Sequence, residues 1–148
     1  MKDLTLQGIS GEYYVAGELA RLGYIASLTL KNTKGVDILA TNRDGTKVAL
    51  IQVKTSTKKD WLLDKKAENF VGFTLYYIFV KLDSEGKPSR YYIVPSNEVA
   101  NYVSKSHRRW LATPGRKGQE HKDTSMRVFC IEENDERYLN KWSNLRLD

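Results

Sequence analysis

Two β-branched runs on either side of a short polar turn restrict the folds open to this chain more than any other feature. Residues 36–41 and 47–55 are separated by Asn42-Arg43-Asp44-Gly45-Thr46, and an Asp-Gly pair between such runs is a strong hairpin signal. The two segments are therefore expected to pair antiparallel. Ahead of them, Ser10 precedes GEYYVAGELARLGY, where Val15, Ala16, Leu19 and Leu22 recur at helical spacing and Gly23 marks the end. This predicts a helix over residues 10–22, followed by a strand over 24–30.

Beyond the hairpin, residues 58–69 are Lys-rich around Trp61, Leu62, Leu63 and Ala67, which predicts a short amphipathic helix. Strands are expected over 74–82 and 90–94, flanking a turn with Gly86 and Pro88. Ser96 is placed to cap a helix carrying Val99, Tyr102 and Val103 to about Leu111, with Glu98 in its first turn. Residues 113–125 read as a mobile loop, 126–131 as a strand and 135–145 as a last helix. At 148 residues, 41% apolar and 28% charged, the chain is expected to fold as one domain over 1–148, and collagen-like or disordered readings fall. The nearly apolar run 71–80 is too short to span a bilayer. The N-terminus lacks an apolar signal region, which points to a cytoplasmic protein. Cys130 stands alone, so neither an internal disulfide nor a Cys-based zinc site is expected.

In three segments polar residues interrupt apolar patterns. Glu12 projects with Ala16 and Leu19 on the core-facing stripe of the first helix. Asp37 breaks GVDILA, and Gln52 and Lys54 lie two apart in VALIQVK, hence on one face opposite Val53. Two like charges about 4 Å apart repel by roughly 4 kcal/mol at an effective dielectric near 20, and a divalent cation would relieve this. Oxygen donors select hard ions such as magnesium or manganese. Each residue also has a plainer reading. Glu12 could serve the helix dipole as a first-turn carboxylate, Asp37 could bond the 31–35 loop, and Gln52 and Lys54 could line a solvated strand face.

Taken together, GEYYVAGELARLGY, GVDILA and ALIQVKTS resemble the signature of the PD-(D/E)XK nuclease superfamily, in particular its restriction-endonuclease-like and Holliday-junction-resolvase-like branches. Glu12 before Gly23-Tyr24, Asp37 on the second strand and Gln52-Val53-Lys54 on the third match its motif over about residues 8–82. Val36 stands where Pro is frequent, and Gln52 stands for the usual Glu, as in branches resembling the Mrr restriction enzymes. The resemblance implies an α/β fold: an αβββαβ core with a mixed central sheet flanked by helices, elaborated over about 83–148 by a strand and helices. It also implies a metal-dependent endonuclease, more DNA- than RNA-directed, with Glu12, Asp37 and Gln52 holding Mg2+ or Mn2+ and Lys54 serving the nucleophile. Related nucleases often pair to cut two strands, which implies a homodimer. The competing expectation is a nuclease-fold protein that binds nucleic acid, or regulates, without cleaving. An adaptor that recognises another protein is a third.

The net charge of +6 favours polyanionic partners. Lys105, Arg108, Arg109, Arg116, Lys117 and Lys122 cluster with one acid, Glu120, and with His107 and Trp110 interleaved. They are expected to contact phosphates, with Trp110 free to stack on a base; the alternative is a solvated face with Trp110 in the core. Lys31, Lys34, Lys58 and Lys59 flank the proposed site in sequence and would add positive potential beside it.

Overall fold

The computed structural model describes residues 3–30 and 34–148. Helix α1 (Leu4–Arg21) starts at Asp3, whose Oδ1 accepts the N–H groups of Thr5 at 2.9 Å and Leu6 at 3.3 Å. A carboxylate there satisfies donors that a first helical turn leaves open. Ser10, expected as the cap, instead donates its hydroxyl to the Gln7 carbonyl inside the helix. Strands β1 (Ile25–Leu28), β2 (Ile38–Thr41) and β3 (Val48–Ser56) form an antiparallel meander. The turn between β2 and β3 closes as expected: Gly45 takes φ +73°, and Asn42 Oδ1 accepts the Lys47 N–H at 2.9 Å. Its register sets Ile38 opposite Ile51.

After β3 the chain leaves the sheet as β4 (Asp60–Asp64), makes a 3-10 turn over Lys65–Glu68, and returns as β5 (Leu75–Lys81), parallel to β3. Strand β6 (Arg90–Pro95) adds antiparallel to β5, so the mixed five-stranded sheet runs β1-β2-β3-β5-β6. Helix α2 (Ser96–Ala112) and β7 (Met126–Cys130) follow, and β7 pairs antiparallel with β4 in a separate two-stranded ribbon. On one face of the sheet, Val15 and Leu19 of α1 pack with Ile51, Val53, Ile78 and Ile93. On the other, Tyr77, Phe79 and Val94 pack under Val99 and Val103 of α2 and under Trp61, Leu63 and Phe129 of the ribbon.

Two expected helices are corrected. Residues 58–69 hold β4 and the 3-10 turn, so the expected αβββαβ order lacks its inner helix. In β4, Trp61 and Leu63 are buried while Leu62 is 60% exposed. That is strand alternation, too brief in five residues to tell from a helical face. Residues 135–145 form turns ending in a 3-10 segment, Trp142–Leu145. Their backbone groups are spent on β6: the Tyr138 carbonyl accepts the Ile93 N–H at 3.0 Å, and the Asn140 N–H donates to the Tyr91 carbonyl at 2.7 Å. The segment thereby seals the outer edge of β6.

Ser96, expected to cap α2, makes no capping bond. Its hydroxyl donates to the Gly72 carbonyl at 3.2 Å and accepts the Gly72 N–H at 3.1 Å, fastening the approach to β5. Residues 113–125 contain no helix or strand. They are fastened to α2 by His107 Nε2 to Asp123 Oδ1 and by His121 Nδ1 to the Trp110 carbonyl, both 2.7 Å. Among the described residues, no helix is long and apolar enough to cross a membrane.

Candidate active site

The hairpin register determines where the polar interruptions meet. Asp37 lies one step beyond the last β2–β3 pair, with its N–H still donating to the Ile51 carbonyl at 2.8 Å. Past that point its carboxylate replaces a ladder bond, Oδ2 accepting the Val53 N–H at 2.7 Å. Burial pushes the Asp37 pKa above the ordinary carboxylate value, opposed by the Val53 hydrogen bond and by the charge of Lys54. Asp37 is thus a partly desolvated acid held at the strand edge beside an ammonium. Across β3 and β5, Gln52 stands opposite Tyr77 and Lys54 opposite Phe79. Tyr77 and Phe79 belong to the α2-side core, so Gln52 and Lys54 share that face, opposite Val53, as alternation requires.

Glu12 is half-buried in the interior of α1, so a first-turn role at the helix dipole does not apply to it. Its position is set by its neighbour. A Cβ on Gly11 would fall 1.8 Å from Thr55 Oγ1, so the helix backbone rests directly on β3 beside Lys54. Thr55 Oγ1 is itself buried without a hydrogen-bond partner among the described residues. Gly11→Ala is expected to lower stability by about 1–2 kcal/mol in urea unfolding, the overpacking cost outweighing the gain in helix propensity. At Gly17, where an added Cβ meets nothing within 4 Å, the same change should stabilise by about 0.5–1 kcal/mol.

The basic residues divide between places. Lys34 shares a pocket with Gln52 and Lys54. Lys58 and Lys59 line a different cleft, of about 780 Å³, with Lys105, Arg137 and the acids Asp60, Glu98, Glu132 and Asp135. Arg108, Arg109, Arg116 and Lys117 are exposed on α2 and the segment after it. Lys31 lies outside the described residues. Trp110 is neither core nor open for stacking: it is 41% exposed, and the His121 ring stacks on it at 4.1 Å and 7°. Lys66, Phe70 and Tyr77, which line the pocket beside Gln52 and Lys54, escaped the sequence reading. Tyr77 carried a signal, as a hydroxyl inside the apolar run of β5.

No family model and no curated protein sequence matches the chain. Among solved structures, a bacterial homing endonuclease matches over 99% of this chain and 93% of its own, with a TM-score of 0.57 and 13% identity. The fold is restriction-endonuclease-like. The Holliday junction resolvase Hjc of Archaeoglobus fulgidus also matches, over 83% of each chain at 15% identity and a TM-score of 0.48. On this restriction-endonuclease-like sheet, the hairpin brings Asp37, Gln52 and Lys54 to neighbouring positions, and α1 carries Glu12 past β3.

The donors expected from the sequence are oxygens: the Glu12 and Asp37 carboxylates and the Gln52 amide. Among the described residues, no three His, Cys, Asp or Glu side chains form a metal-holding group. By the chemistry of its donors, a set of two carboxylates and one amide oxygen suits a hard ion, with less charge than three carboxylates would supply. The raised pKa of the desolvated Asp37 carboxylate is the electrostatic cost that such an ion would offset.

Proposed function

We propose that this protein is a metal-dependent endonuclease that hydrolyses phosphodiester bonds of nucleic acid, DNA in preference to RNA. The observation that carries the proposal is Asp37, a desolvated carboxylate tied to the Val53 N–H and set beside Lys54 on a restriction-endonuclease-like sheet. Glu12, Asp37 and Gln52 are the residues that would hold Mg2+ or Mn2+. When bound, the ion supplies Lewis acidity toward a phosphoryl oxygen and lowers the pKa of a water.

The chain's own residues have separate tasks. Lys54 places a positive charge where a phosphate oxygen gains negative charge during attack, and orients the attacking water by donating to it. Asp37, fixed by the Val53 N–H, holds its position without further side-chain ordering. Lys34 and the exposed Arg108, Arg109, Arg116 and Lys117 neutralise backbone phosphates without reading sequence.

The test is incubation of the purified chain with supercoiled, linear and branched DNA plus Mg2+ or Mn2+, alongside Asp37→Ala. Cleavage by the wild type and its loss in the variant is the expected result, with circular dichroism showing that the variant, which gives up the Val53 hydrogen bond, is still folded. Binding without cleavage of any substrate, unchanged in Asp37→Ala, would overturn the proposal in favour of a nucleic-acid-binding protein. Gln52, an uncharged amide at a position where a third carboxylate would tighten the metal, is the feature that favours that second reading.

A further inference from the structure

On the α2 side of the sheet, Gln52 and Lys54 open onto a pocket of about 350 Å³ that Lys34, Lys66, Phe70 and Tyr77 also line. Its composition is unusual in joining cations to an aromatic wall. Lys34, Lys54 and Lys66 form no ion pair among the described residues. The one acid that lines the pocket, Asp64, already accepts the Lys66 backbone N–H at 2.9 Å. Such a surplus of positive charge in a concave site favours a bound anion.

The aromatic wall is fixed in place. Phe70 meets Tyr77 edge to face at 5.9 Å and 82°. Behind it lies Gly35 at φ +74°, where a Cβ would come within 2.7 Å of the Phe70 ring. Tyr77 is only 1% exposed, yet its hydroxyl makes no hydrogen bond among the described residues, and burial alone pushes its pKa up to about 12. The hydroxyl is therefore not spent on the fold: Tyr77 lines the pocket on the same face as its cross-strand neighbour Gln52.

A free phosphate would use the lysines and leave the ring, the hydroxyl and the amide idle. An apolar side chain would use the ring and strand the lysines. A nucleotide uses both sets, and the volume lies in the range of small-ligand sites. We infer that this pocket receives one unstacked nucleotide of the substrate, its phosphate among Lys34, Lys54 and Lys66, its base against Phe70, and its base edge toward Tyr77 and Gln52. The inference rests on the nucleic-acid reading of the previous section but not on cleavage. It narrows the substrate to strands that offer an unpaired base, because a base inside a duplex stack cannot enter such a pocket without leaving the stack.

The test is fluorescence anisotropy on the full chain, with EDTA present so that no strand is cut. The probes are two DNAs of the same sequence, one fully paired and one carrying a single bulged nucleotide. The bulged DNA should bind about tenfold more tightly. Phe70→Ala should remove that preference, and Tyr77→Phe should reduce it about threefold. Phe73→Ser, which removes a fully exposed ring outside the pocket, should leave it intact. Tyr77→Phe decides the matter if Phe70→Ala fails to fold, since it deletes only a hydroxyl that bonds nothing in the fold. Equal binding of the two DNAs, or a preference that both pocket variants retain, overturns the inference even if the chain cleaves DNA. A preference that both variants diminish supports it even if the chain cleaves nothing.

Discussion

Lys54→Ala is expected to slow phosphodiester cleavage by about 10²–10³-fold without moving the melting temperature. The factor is that of removing one preorganised electrostatic donor aimed at charge developing in a transition state. The stability half follows from Lys54's surroundings. It is half-buried on β3 and forms no ion pair among the described residues, so truncation leaves no buried charge unmatched through a lost salt bridge. Its charge favours the ionised form of Asp37. Single-turnover cleavage, with thermal unfolding measured in parallel, checks both halves. A variant that cuts at the wild-type rate would remove Lys54 from the chemistry. One that loses activity together with its melting temperature would make the residue structural. Lys54→Arg should recover little, because a planar guanidinium does not present the compact, rotatable donors of an ammonium.

The second large effect belongs to the fold. Phe79→Ala should cost about 3–5 kcal/mol, equivalent to a fall of roughly 10 °C in melting temperature for a chain of this size. Phe79 is fully buried, where the two layers of the α2 side meet. Its ring stacks on Phe129 of β7 at 4.5 Å and on its neighbour Tyr77 at 5.5 Å, and tilts against Trp61 of β4 at 5.2 Å. Removing it opens a void between the central sheet and the ribbon, which the stiff neighbouring strands cannot fill. Urea unfolding should show the midpoint falling with the slope unchanged. At Phe73, exposed to the full extent of a free residue, the same substitution should stay within about 0.5 kcal/mol.

The sequence disclosed those parts of the fold that local chemistry determines. Asp44-Gly45 identified the hairpin, and the hairpin's register in turn placed Asp37, Gln52 and Lys54 at neighbouring positions. What stayed hidden depended on partners far away in the chain. Trp61, Leu62 and Leu63 gave a helical impression because three adjacent apolar residues carry no period, and β4 is a strand only by virtue of β7. Residues 135–145 have helix-compatible spacing, yet their N–H and C=O groups are worth more on the open edge of β6. Asp3 was passed over because the periodic run begins well after it. The candidate site divides in the same way. Its proposed catalytic positions lay in a motif, whereas Phe70 and Tyr77 enter it only through the crossover that sets β5 beside β3.

That crossover also implies an order of assembly. The meander from β1 to β3 joins neighbours in the chain and closes short loops, whereas β4 must wait for β7, which comes from the other half of the chain, and long loops are closed late because their entropy is lost before their contacts form. Asp37 and Lys54 are therefore in place before Leu63 and Asp64 swing in to complete the pocket beside them. The same order run backwards places the β4–β7 ribbon, and with it this wall of the pocket, ahead of the meander in unfolding.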